Sequence, residues 1–237
     1  MNVIWHDLEC GGYLADLPLW RDLARQCGGP VLDLGAGTGR VAIDLARHGH
    51  EVVALDRDSM LLDELERRAR ELPLRTVVAD ARDFALHRLF ALIIAPMQTV
   101  QLLGGRPGRE GLLRSAVAHL APDGRIAIAI AETIDAYELV EGDVGPLPDV
   151  LEREGAVYFS QPTAIRADAE GFVLERRRER VTREGERTVA EDRIRLDRLT
   201  ADDLETEARG IGLRSAGRRS VEATDDHVGS TVVMLSA

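Results

Sequence analysis

The chain contains no lysine: all thirty of its basic residues are arginine. That absence excludes a Tyr-x-x-x-Lys pair of the kind a nicotinamide oxidoreductase can use, and it reads as a mark of genome composition more than of function. Cysteine is nearly missing too. Cys10 and Cys27 cannot build a disulfide framework, and with six scattered histidines they show neither C-x-x-C nor H-E-x-x-H spacing, so no metal site is expected and both thiols are expected reduced. No apolar run approaches the roughly eighteen residues of a membrane span. The start, Met1 to Asp7, has neither the basic residues nor the apolar block of a signal peptide, so a cytoplasmic protein free of membrane is expected. A net charge of −11 argues against nucleic acid as a partner, because affinity for phosphates comes from accumulated basic residues, and it points to a small-molecule substrate.

What is present is enough for one large domain with a substantial core: 237 residues, 45% of them apolar. Strand and helix patterns alternate from residue 31 to 131, the signature of a parallel sheet with helices on both faces. Helices are expected over 40–48, 59–71 and 109–120, where apolar residues recur at helical spacing. After Glu132 the pattern changes. Residues 142–149 read as a loop, and 156–167, 171–182 and 188–197 read as an inserted antiparallel β-meander with turns at Asp168-Ala169-Glu170-Gly171 and Arg183-Glu184-Gly185-Glu186. A helix capped by Thr200 and two strands, near 213–222 and 231–235, complete the pattern. The expected architecture is α/β: a doubly wound, seven-stranded, mostly parallel Rossmann-like sheet whose last strand is antiparallel. Within this single domain, 1–30 form an N-terminal lid or helix, 31–135 a cofactor-binding core, 136–198 the insertion and 199–237 the closing helix and strand pair.

The chemistry begins at Val31-Leu32-Asp33-Leu34-Gly35-Ala36-Gly37-Thr38-Gly39-Arg40, an apolar strand running into three alternating glycines and then a helix. Glycine here permits a sharp turn and leaves backbone N–H groups open to a ligand, and the following helix adds its own unpaired N–H groups and partial positive charge. A dinucleotide site usually reads G-x-G-x-x-G; here the third glycine comes one residue early. A second strand ends in Asp56, seventeen positions beyond Gly39, where a carboxylate can accept hydrogen bonds from both hydroxyls of a ribose. A third ends in Asp80-Ala81, a fourth in Pro96-Met97-Gln98, and a fifth follows Leu120-Ala121-Pro122-Asp123-Gly124. Taken singly, Asp33 also reads as an ordinary strand-end carboxylate and Asp80 as a cap.

In this order and spacing the signals resemble the class I S-adenosylmethionine-dependent methyltransferases. The resemblance covers residues 31–131 well, the C-terminal part by topology only and the insertion hardly at all. It implies S-adenosylmethionine as cofactor and S-adenosylhomocysteine as product. It implies that Asp33 meets the acidic requirement of an aminoacyl ammonium and that Asp80 contacts the adenine amino group. It places Gly35, Ala36, Gly37, Gly39, Asp56, Arg57, Met60, Ala81 and Pro96 around the cofactor, with Tyr13 as a contact from an N-terminal lid.

The acceptor side is less marked. Ala95-Pro96-Met97-Gln98 departs from the Asn/Asp-Pro-Pro-Tyr/Phe that grips exocyclic amines in nucleic-acid and glutamine methyltransferases, which argues against those substrates. Gln98, Gln101 and Glu132 are candidates for substrate contact, and Gln98, Glu132 and His227 for catalysis, each with solvated or structural polarity as the competing reading. Arg176, Arg178 and Arg180 alternate onto one face of a meander strand, where they suit an anionic substrate, a second subunit in a homodimer, or plain solvation. The expected function is methyl transfer to nitrogen or oxygen of a small metabolite. Its rivals are a cofactor-binding sensor or scaffold without turnover and, further off, a nicotinamide-dependent oxidoreductase.

Overall fold

All four residues of β1 (Val31–Leu34) are buried, as a strand covered by helices on both sides requires. In the computed structural model, which describes residues 3–140, 145–224 and 227–237, β2 (Val52–Asp56) and then β3 (Leu74–Val78) lie on one side of β1. On the other side come β4 (Phe90–Ala95), β5 (Leu120–Ile130), β12 (Ser230–Ser236) and β11 (Arg214–Val221), giving a seven-stranded sheet of order β11-β12-β5-β4-β1-β2-β3. The first five strands in sequence are parallel and β12 runs against both its neighbours, as the resemblance implies. Strand order reverses between β1 and β4, and in such sheets the crevice outside the carboxyl ends at that point is where ligands bind.

Helices α1 (Val3–Cys10) and α2 (Leu17–Cys27) precede the sheet, and α3 (Arg40–Arg47), α4 (Ser59–Arg68), α5 (Arg106–Ala118) and α6 (Ala201–Arg209) flank it. Alternation along β1 divides the core. Val31 joins Trp20, Leu23, Val41, Leu45 and Leu62 on one face, and Leu32 joins Leu112, Leu113, Ile126 and Leu204 on the other. By the same parity Asp33 and Asp56 belong to the face that carries α2 and α3. Thr200 caps α6 by accepting from the Asp203 backbone N–H at 3.1 Å, and Asp203 returns the bond in a capping box.

Several boundaries differ from the sequence pattern. Helix α5 begins at Arg106, with Pro107 in its first turn, where a missing N–H costs nothing. Strand β5 begins at Leu120 because the Phe90 N–H donates to His119 O at 2.8 Å and Phe90 pairs with Leu120 before the register shifts. The insertion is a five-stranded antiparallel sheet rather than three strands: β8 (Ala156–Ala167), β9 (Gly171–Thr182) and β10 (Arg187–Asp197) are joined by β6 (Tyr137–Glu138) and β7 (Asp149–Arg153). β7 turns into β8 through Glu154 and Gly155, both at positive φ (53° and 78°), a two-residue turn suited to a hairpin. Of the loop expected over 142–149, residues 142–144 lie outside the described residues, and Asp149 belongs to β7. Among the described residues no helix is long and apolar enough to cross a membrane.

Candidate functional site

Between β1 and α3 the chain turns through Gly35, Gly37 and Gly39 at φ 73°, 55° and 92°, left-handed geometry that glycine adopts without strain. The Gly35 and Ala36 N–H groups donate to Leu55 O at 2.8 and 3.0 Å, anchoring the loop to the end of β2. The Gly37 N–H donates to Asp56 Oδ2 at 2.9 Å, and Asp56 Oδ1 accepts from the Asp58 N–H at 2.9 Å. Two backbone donors thus aim the Asp56 carboxylate across the glycine loop. A Cβ at Gly35 would lie 2.6 Å from Thr99, and one at Gly37 would lie 2.3 Å from the His6 ring.

Asp33 is 1% exposed, and its Oδ1 has no hydrogen-bond partner among the described residues. Burial pushes its carboxyl up to about 8; Arg40 opposes that rise, while Asp56 and Asp16 add to it. Arg40 donates to Asp16 at 2.5 and 2.8 Å and to Tyr13 O at 2.6 Å, and Asp16 also accepts from Trp20 Nε1 at 2.8 Å. Above this buried ion pair lies Tyr13, with the guanidinium 5.1 Å from its ring centre and His227 stacked 4.8 Å away. The Tyr13 hydroxyl is buried without a well-formed hydrogen bond, Ser230 acting on it only weakly. An unsatisfied acceptor and an unsatisfied hydroxyl therefore share the neighbourhood of Arg40 and Asp16.

The remaining expected residues are distributed along the same sheet edge or beyond it. Met60 is 62% exposed at the start of α4, where the Asp58 side chain accepts from its N–H at 3.0 Å, and Arg57 is exposed beside it. Asp80 accepts from the Arg82 guanidinium at 2.6 Å and from the Arg82 N–H at 2.9 Å, and these bonds hold its carboxyl down to about 2. Ala81 packs against the second core face, and Pro96 is buried ahead of Met97, whose φ of 55° marks a strained turn after β4. Gln98 is half-buried at that turn.

Gln101 is fully buried: Nε2 donates to Ala131 O at 3.1 Å and Asp197 O at 2.9 Å, and Oε1 accepts from the Ala131 N–H at 2.8 Å. Glu132 accepts from the Ala201 N–H at 2.8 Å and from Thr231 Oγ1 at 2.6 Å, pinning α6 and β12 together. Both side chains join elements and leave Gln98 and His227 as the acceptor-side candidates not held in such bridges. Arg176 pairs with Asp149 and Arg178 with Glu9 and Asp192, so two of the three arginines of that strand face are already matched by acids of this chain.

Helix α1 carries contacts that the sequence did not specify. His6 lies against Gly37 with Nδ1 3.3 Å from Thr38 Oγ1, and burial lowers its pKa. Asp7 accepts from Thr38 Oγ1 at 2.8 Å, from Arg68 and, at 3.1 Å, from Arg153. Burial opposes ionisation of Asp7, but the bonds from Arg68 and Thr38 outweigh it and keep the carboxyl below its ordinary range. Glu9 accepts from Arg178 and from Ser160 Oγ, each at 2.7 Å. One short helix is thereby fastened to the glycine loop, to α4 and to the meander.

Residues 31–124 match the methyltransferase domain family. A cypemycin N-terminal methyltransferase of a Streptomyces species is 31% identical over 154 residues, which cover 65% of this chain and 62% of that relative, so the chain spans about three-fifths of its length. In fold the chain is similar to the CcbJ methyltransferase from Streptomyces caelestis, with 22% identity, TM-score 0.71 and coverage of 96% of this chain and 97% of that one. It is equally similar to S-adenosylmethionine-bound CalS10, an amino pentose methyltransferase from Micromonospora echinaspora, with 20% identity, TM-score 0.71 and coverage of 99% and 97%.

Proposed function

We propose that residues 31–124, which match the methyltransferase domain family, form a class I, S-adenosylmethionine-dependent domain, and that the chain transfers a methyl group from S-adenosylmethionine to a nitrogen of a small metabolite. The observation that carries the proposal is the buried, unpartnered Asp33 Oδ1 beside a loop in which side chains have been eliminated at alternate positions. A buried polar atom left unpaired costs free energy unless a ligand satisfies it, and an aminoacyl ammonium is a fitting donor.

In this reading Asp33 would hold the ammonium, Asp56 the ribose hydroxyls and the Met60 side chain a face of the adenine. Asp80 would reach the adenine amino group by exchanging its exposed pair with Arg82, a contact of the kind that contributes little in water. Gly35, Ala36, Gly37 and Gly39 would line the bound molecule, with Arg57, Ala81 and Pro96 at its borders and Tyr13 closing from the N-terminal side. The bound cofactor supplies a methyl group activated on cationic sulfur. The chain's own contribution is alignment, which in favourable cases amounts to roughly 7–11 kcal/mol.

Nitrogen is favoured over oxygen because a neutral amine brings its own lone pair, whereas a hydroxyl calls for a base. Glu132 is engaged by Ala201 and Thr231, which removes one candidate for that task. Gln98 and His227 are the side chains we assign to holding the amine. The similar proteins named as an amino pentose methyltransferase and a cypemycin N-terminal methyltransferase support the same preference.

We further propose a homodimer formed through the meander. Its outer strand β10 has no strand on its far side among the described residues, only its Asp197 end being covered by Gln101, and antiparallel self-pairing about Asp192 sets Glu191 of one copy opposite Arg193 of the other. The free thiols of Cys10 and Cys27 suit a reducing cytoplasm. The functional test is turnover of methyl-labelled cofactor against a metabolite extract, with mass identification of the product. A primary or secondary amine that gains label supports the proposal; cofactor binding with no transfer to any fraction would instead favour a sensor.

A further inference from the structure

A cavity of about 370 Å3 opens between α1 and strands β8, β9 and β10 of the meander, and no residue of the glycine loop lines it. Its wall is aromatic: Trp5 meets the buried ring of Tyr158 edge-on at a centroid distance of 5.3 Å. Two guanidinium groups lie over these rings, Arg178 at 5.5 Å from Trp5 and Arg180 at 6.0 Å from Tyr158. They differ in what they still have to offer. Arg178 has all three of its nitrogens engaged, donating through Nε and Nη2 to Glu9 at 2.7 Å and through Nη1 to Asp192 at 2.8 Å. Arg180 is exposed and makes no ion pair among the described residues, its charge being felt only at a distance by Glu184; Thr188, its register partner on β10, lines the same cavity. Glu154 also lines it, with a single 3.6 Å approach from Arg153.

We propose that this cavity binds a small carboxylate that carries an aromatic or flat apolar body, with the carboxylate on Arg180 and the body packed against Trp5 and Tyr158. The volume falls within the range of small-molecule sites. Aromatic walls favour a flat body, and a guanidinium already lying over a ring is well placed to fork onto a carboxylate. A single guanidinium matches one negative charge, and the Glu154 carboxylate in the same lining penalises the second charge of a phosphate dianion more than the single charge of a carboxylate. The residues that follow Trp5 are His6 and Asp7, which rest on Gly37 and Thr38. A ligand gripping Trp5 therefore holds α1 down on the glycine loop, and by linkage it binds more tightly when that loop is filled. This coupling, unlike the site itself, rests on the cofactor reading above.

Tryptophan fluorescence tests the site directly, because Trp20 is fully buried and only Trp5 faces the cavity. Titration with phenylacetate should give a saturable change that is absent in Trp5→Phe and weakened at least fivefold in Arg180→Gln, with 2-phenylethanol and phenyl phosphate both weaker than phenylacetate. Equal binding of the alcohol, tighter binding of the phosphate, unchanged affinity in Arg180→Gln or a signal that survives Trp5→Phe would each overturn the assignment. Saturating phenylacetate should also slow S-adenosylhomocysteine release at least threefold. An unaltered release rate overturns the coupling, whereas failure of S-adenosylhomocysteine to bind while the fluorescence titration stands counts against the cofactor reading alone.

Discussion

Asp33 and Asp56 stand on the same face of neighbouring strands, yet their surroundings give them different work. Asp56 is aimed by two backbone N–H groups and keeps lone pairs for a ligand; removing a charged acceptor of this kind typically costs about 1.5–3 kcal/mol. Asp56→Ala should therefore weaken S-adenosylhomocysteine binding about tenfold or more in calorimetry, and an unchanged affinity would remove Asp56 from the site. Asp33 is buried with its carboxyl raised from an ordinary 3.8 to about 8. The folded chain holds that proton over a range in which the unfolded chain has lost it, so this group's contribution to stability falls as pH rises from about 4 to about 8. Asp33→Asn removes the titration. Its melting temperature relative to the parent should climb across that window, and a constant offset would contradict the burial of an uncompensated carboxylate. Residue types at strand ends were legible in the sequence because the glycine loop and its carboxylates are fixed by local spacing. The fates of Gln101 and Glu132 were not, since their partners Ala131, Asp197, Ala201 and Thr231 come together only when α6 and β12 dock.

At the scale of elements, α1 is the part least foretold. The resemblance suggested an N-terminal lid or helix over residues 1–30, but the anchors of α1 lie far along the chain: Asp7 to Arg68 spans 61 positions, Asp7 to Arg153 spans 146 and Glu9 to Arg178 spans 169. Ion pairs at such separations leave no periodic signal. The extra meander strands were missed for a different reason. β7 is a short half-exposed strand whose turn, Glu154-Gly155, lacks the Asn or Asp that usually announces a tight hairpin. Because α1 covers the loop while α2 keeps the Asp16–Arg40 pair, deleting residues 1–10 should leave the chain folded. Release of S-adenosylhomocysteine in stopped flow should then speed up at least tenfold, and an unaltered rate would strip α1 of its role as cover.

The whole molecule joins an α/β core, whose strand order reverses at β1, to a meander held to it by α1, by Gln101 and by the buried Arg109 bonded to Glu207 and Asp197. The alternation of strands and helices made the core readable from its sequence, whereas the placement of the meander depended on these long-range bridges. If β10 pairs with its copy, light scattering should give about twice the 26.0 kDa of the chain, and Glu191→Arg, which faces Arg193 in the pairing, should return it to monomer. A monomeric parent would remove the dimer and leave the site untouched. The central claim is that the glycine loop and the strand-end carboxylates form one adenosyl cradle. Its most direct measurement is calorimetric titration of the chain with S-adenosylhomocysteine, alongside Gly37→Val, whose added atoms would enter the space of the His6 ring at a φ of 55°. The account predicts saturable binding at one site per chain, lost in the folded variant; no binding to the parent, or equal binding to both, would contradict it.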